Sequence, residues 1–176
     1  MGNRRMGLAR MEALLEAVDR ELDLTNSTLK DAALIGFTKG TATGAITAAM
    51  SGRTIIVGPL AAGLAADSIF TLPTAANGLN YRFVYVGGAV DAQDFQINTG
   101  SDTNFYIGGL SHYDTDTDDT NGLPDAVFSN NSSNSRVNVL TPGPGTYVEV
   151  YCDGTNWFVS GVAISAENAA VTFADQ

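Results

Sequence analysis

The first clear periodicity in the chain is helical. Leu8, Met11, Leu15, Val18 and Leu22 recur at alternating spacings of three and four residues, with Leu14 widening the stripe. That is the a/d pattern of an amphipathic helix. Glu16 and Arg20 stand four apart on the outer side, where they can pair. The pattern lasts about two heptads, and an isolated helix that short is marginal in water. The stripe therefore needs a surface: copies of itself, the rest of the chain, or a partner.

The pattern then dissolves. Residues 24–31 (LTNSTLKD) are polar and turn-like, and eleven of the fifteen residues in TKGTATGAITAAMSG (38–52) are Ala, Gly or Thr. Such a stretch reads as a thin strand or a flexible tether. From residue 54 the period becomes two, the signature of strands. Strands are predicted at 54–57, 68–72, 80–86, 94–97, 105–110, 136–140, 146–152 and 156–163, with a short last one at 171–173. Over 80–86, Tyr81, Phe83 and Tyr85 fall on one face and Arg82, Val84 and Val86 on the other. Pro73 with Ala75-Ala76-Asn77-Gly78, and the TPGPG run at 141–145, mark sharp turns. Asp153-Gly154 is the strongest hairpin signal. A faint echo links Leu72-Pro73, Gly78, Tyr81, Phe83 and Tyr85 to Leu140, Pro142, Gly145, Tyr147, Glu149 and Tyr151.

The expected fold class is mainly β. A compact β-sandwich or β-barrel body spans 54–176, a short N-terminal α-helix and arm occupies 1–35, and a linker or thin strand covers 36–53.

Composition narrows the function. Of 176 residues, 44% are hydrophobic and 16% charged, which excludes a charge-rich disordered chain. No run is long enough to span a bilayer, the opening does not read as a signal peptide, and no membrane partner is expected. The net charge of −10 is uneven: residues 54–176 hold two Lys/Arg against thirteen Asp/Glu. A body so acidic repels phosphate backbones, so no nucleic-acid partner is expected. Only the tip is basic, with Arg4, Arg5 and Arg10 ahead of the first acid, Glu12.

Cys152 and His112 are the only residues of their kinds, which removes disulfides within the chain and most zinc and nucleophilic chemistry. Cys152 continues the apolar alternation Val148, Val150 and reads as a buried thiol. His112 and Asp114 could form a carboxylate–imidazole pair, but no nucleophile accompanies them. No enzymatic activity is expected. The acidic loop HYDTDTDDTNGLPD (112–125) carries five aspartates. It fails the helix-loop-helix calcium frame, with Asp119 where glycine is required. A looser frame places Asp119, Asn121 and Asp125 as metal ligands. Two readings stand, a weak calcium site or a solvated loop tip; no other cofactor is expected. Trp157, Tyr147, Tyr151 and Phe158 flank the hairpin, where aromatics pack across the ladder or present a platform to a sugar.

The opening MGNRRMGLARMEALLEAVDRELDLTNSTL resembles the N-termini of virion structural proteins of marine tailed phages, cyanophages among them. TLPTAANGLNYRFVYVGG and VEVYCDGTNWFVSG are similar to β modules of phage head-decoration (cement) and fibre proteins. The resemblance implies a protein of the capsid outer surface, made in the host cytoplasm. Its partner would be the major capsid protein, bound by a homo-oligomer, most often a trimer. Leu8, Met11, Leu15, Val18, Leu22, Arg4, Arg5 and Arg10 would form the interface. A tail, baseplate or fibre component is the nearest alternative, and a carbohydrate-binding adhesin module a third. The acidic loop lies outside the resemblance.

Overall fold

The computed structural model describes residues 43–58, 63–88, 93–116 and 124–176. The expected N-terminal helix, with Arg4, Arg5, Arg10 and the Leu8–Leu22 stripe, lies outside these residues, as do Asp119 and Asn121. In chain order the strands are β1 (Thr43–Ala45), β2 (Arg53–Val57), β3 (Ser68–Thr71), β4 (Asn80–Tyr85), β5 (Phe95–Asn98) and β6 (Tyr106–Asp114). They continue with β7 (Asp125–Phe128), β8 (Arg136–Val139), β9 (Tyr147–Cys152), β10 (Trp157–Ser165) and β11 (Val171–Ala174). They form two sheets, one of five strands in the order β1-β3-β5-β8-β11 and one of six in the order β2-β4-β9-β10-β6-β7. The fold is mainly β, as the period-two pattern implies, and the sheets do not close into a barrel.

Both sheets are mixed, for a topological reason. The first six strands alternate between the sheets, and the returns from β1 to β3, β2 to β4 and β3 to β5 each bring the chain back one strand over. Thr43 lies beside Ile69 and Ile69 beside Gln96 in one sheet, and Arg53 beside Tyr81 in the other, all parallel. Parallel neighbours need a long crossover, usually a helix; here a strand of the opposite sheet serves. The second half is built of antiparallel ladders, β9 with β4 and β10, and β8 with β5 and β11. The exception is the long β10–β6 pair, which is parallel.

The core is the aromatic and aliphatic layer between the sheets. Phe70 of β3, Phe83 of β4 and Phe95 of β5 form a triangle, with ring centroids 5.3 to 6.0 Å apart. Trp157, fully buried, sits 6.0 Å from Tyr81 within the six-stranded sheet. Tyr106 meets Phe173 edge-on from the other sheet. The Tyr81 hydroxyl donates to the carbonyl of Thr47, pinning the short 3-10 turn Ala48–Met50. Burial, with Cys152 nearby, pushes the Tyr81 phenol up to about 12. Complete burial raises the Tyr106 phenol well above its usual range.

The Asp153-Gly154 signal marks a real hairpin. Cys152 pairs with Trp157 across a four-residue loop, and Gly154 takes the left-handed conformation at φ +104° that glycine adopts without cost. Asp153 Oδ1 accepts the backbone N–H groups of Thr155 and Asn156, both at 2.8 Å. Those bonds, with Asn156 foremost, hold its carboxyl below the usual range.

Three local expectations are corrected. The stretch 112–125 is not all loop, since residues up to Asp114 extend β6 and Asp125 opens β7. The strand β7 was not foreseen, because Asp125-Ala126-Val127-Phe128 is too short to show a period. The echo also holds in path but not in facing. Both segments carry the chain from the five-stranded to the six-stranded sheet, and β4 pairs with β9. Yet Tyr81, Phe83 and Tyr85 point inward, whereas Tyr147, Glu149 and Tyr151 point outward. Tyr81 stands three positions after Gly78 but Tyr147 only two after Gly145, and a one-residue offset reverses a strand's faces.

Candidate functional site: the outer face of the six-stranded sheet

The outer faces of the two sheets differ in chemistry. On the five-stranded sheet the outward positions of β3, β5, β8 and β11 are Ile69, Thr71, Gln96, Asn98, Arg136, Asn138, Thr172 and Ala174. This is an amide and hydroxyl surface. Gln96 donates to Asn98 Oδ1 at 2.8 Å, and the Asn138 amide reaches Asp94 Oδ2 at 3.3 Å.

The six-stranded sheet turns an apolar face outward. Its middle row runs Ile56, Val84, Tyr147, Val162, then Ser111 and Ala126, on six neighbouring strands. A second row runs Asn80, Tyr151, Phe158 and Ile107. Ile164 and Tyr113 pair beyond it on β10 and β6. Among the described residues the exposed large hydrophobics are Tyr113 (46%), Phe128 (69%) and Tyr151 (52%). All three stand on this face. Singly exposed apolar side chains are ordinary, but a contiguous field of them marks a contact surface.

Three details organise the face. Tyr151 and Phe158 stack with centroids 5.0 Å apart. Arg82 lies 3.4 Å from Glu149, its direct cross-strand partner, and 4.8 Å above the Tyr147 ring; the pair leaves the face without net charge. Phe128 on the edge strand lies over Gly109, where an added Cβ would come within 2.7 Å of its ring. A shallow groove of about 350 Å³ runs beside Tyr151, lined by Thr54, Asn80, Arg82 and Glu149.

The other residues singled out from the sequence lie elsewhere. Trp157 belongs to the core and takes no part in a surface platform. Cys152 is buried, its sulfur accepting the Gly154 N–H at 3.3 Å. His112 is buried at 2% exposure, pointing inward opposite Asp125. The His112–Asp114 pair that the sequence allowed does not form. His112 Nε2 and Asp114 Oδ2 each lack a hydrogen-bond partner, while Asp114 Oδ1 accepts the Asp116 N–H at 2.8 Å. Asp125 is exposed, its Oδ1 accepting the Ala126 N–H. Among the described residues no three His, Cys, Asp or Glu side chains cluster to hold a metal ion. No helix among them is long and apolar enough to cross a membrane.

The apolar outer face was missed from the sequence, although a signal existed. In Tyr147-Val148-Glu149-Val150-Tyr151-Cys152 one parity is apolar and the other is aromatic except at Glu149, which approaches the pattern of a strand covered on both sides.

No family model, no curated protein and no solved structure matches this chain. Within the described residues, segments 71–88 and 148–161 come together. The strands β4, β9 and β10 are adjacent, and the Gly78 N–H donates to the Cys152 carbonyl at 3.0 Å.

Proposed function

We propose that this chain is a structural virion protein, a capsid decoration (cement) protein that binds the outer surface of a tailed-phage head and stabilises it. The observation that carries this reading is the two-sided body: one outer face of amides and hydroxyls suited to water, the other of aromatics and aliphatics suited to a neighbour. Such a slab fits a place within an assembly. In this reading Leu8, Met11, Leu15, Val18 and Leu22, with Arg4, Arg5 and Arg10, dock on the major capsid protein, and the acidic body faces outward as part of a homo-oligomer. A ligand that binds only the assembled shell stabilises it by mass action.

The test is location and copy number. Antibody labelling of intact particles should decorate the whole head, and quantification should return hundreds of copies per virion. A handful of copies, or labelling confined to one vertex, would assign the chain to the tail, baseplate or fibre.

One observation favours a carbohydrate-binding module as a second reading. The groove beside the exposed Tyr151 ring, with Asn80, Arg82 and Glu149 as polar lining, has the aromatic wall and polar floor a sugar requires. A glycan array with wild type and Tyr151→Ala separates it from the first reading.

A further inference from the structure

We infer that the apolar outer face of the six-stranded sheet packs against the same face of a second copy of this chain, forming a twofold, sheet-on-sheet pair. This does not rest on the virion reading, because it concerns the protein alone in solution.

Area supports a copy of comparable size. Strands lie about 4.8 Å apart and rise about 3.3 Å per residue. Six strands of four to nine residues thus present a face of roughly 29 by 21 Å. Burying it on an identical face removes roughly 1,200 Å² in total, at the lower edge of stable interfaces. The helical stripe predicted over residues 8–22 would be about 22 Å long and about 10 Å wide. It would cover only a third of the face.

Charge supports the same occupant. The chain carries −10 overall, yet the outward positions of this sheet hold only Arg82 and Glu149, already paired. A neutral face can meet its own copy without local repulsion, and a twofold needs such self-complementarity. The outward residues also alternate bulk with small side chains, Tyr147 and Val162 beside Ser160 and Ser111, as interdigitating sheets require.

The experiment uses the full chain. Sedimentation equilibrium on wild type should return an even number of copies, tightening as salt screens the mutual repulsion of two acidic chains. The variant Val162→Lys should halve that mass, with far-ultraviolet circular dichroism and Trp157 fluorescence unchanged. In case Val162→Lys fails to fold, Tyr113→Lys at an exposed position provides a second variant with the same expectation. A Ser160→Cys variant, treated with a short bismaleimide, should give a chain-to-chain cross-link through residue 160 of both copies. Native Cys152 is buried and does not compete.

A monomeric wild type would overturn the inference. So would folded variants that keep the wild-type mass, or a Ser160→Cys protein that gives no chain-to-chain cross-link. Variants that keep their mass but lose binding to phage heads would assign the face to the shell and overturn the pairing.

Discussion

Tyr151 and Phe158 face each other across the β9–β10 ladder with ring planes 7° apart. The two are direct cross-strand partners one step from the hairpin loop, so the stack closes the ladder from the outer face. Beneath it, Trp157 and Cys152 close the ladder from the core. Stacked aromatic pairs contribute about 0.5–1.5 kcal/mol beyond buried area. A double-mutant cycle of Tyr151→Ala and Phe158→Ala should return a coupling of about that size. Additive losses in denaturant melts would mean the rings are neighbours without mutual stabilisation.

The loop below that stack depends on one carboxylate. Asp153 accepts two backbone N–H groups, and its carboxyl is held below the ordinary value of 3.8. A lowered folded value gives stability that is present above the unfolded value and lost as pH falls through the folded one. Asp153→Ala should melt a few degrees lower than wild type at neutral pH. That gap should close in acid, while Asp153→Asn, which keeps an acceptor, should fall between. A gap independent of pH would remove the charge from the account.

Gly109 tests the edge of the sheet. An added Cβ would press on the Val127 carbonyl and on the Phe128 ring, and β7 is held on one side only. Gly109→Val should cost about 1–3 kcal/mol, as overpacking does. Amide exchange at 125–128 should rise more than in β9 or β10. Uniform exchange would show that β7 does not detach separately.

Alkali reports on the buried phenols. The Tyr81 phenol is pushed up to about 12, whereas an unfolded tyrosine ionises near pH 10. The unfolded state therefore loses its proton first, and stability falls as pH rises from about 10 toward 12. Phenolate absorbance from Tyr81 and Tyr106 should appear only with the loss of buried Trp157 fluorescence. Tyr81→Phe should shift the alkaline transition upward.

Residues 36–176 form a compact unit of their own, and every described strand pairs within it. Deleting residues 1–35 should leave a β-type circular dichroism spectrum and one cooperative thermal transition. Loss of both would show that the N-terminal segment is needed for the body to fold.

Strand positions were largely legible because alternation is local. Tyr81, Phe83 and Tyr85 declare a buried face from side-chain order alone, and Asp153-Gly154 declares its turn from backbone preference. The short β7 was not legible, since four residues carry no period. The facing of β9 was legible from its apolar parity, Val148, Val150 and Cys152, but not from the echo with β4, whose aromatics stand one residue out of step with Tyr147, Glu149 and Tyr151. Local chemistry specifies where a strand lies and which residues share a side. Which side meets the core depends on the opposite sheet, whose strands come from distant parts of the chain. The sheet order, the parallel coil of the first five strands and the apolar outer face arise from that long-range packing.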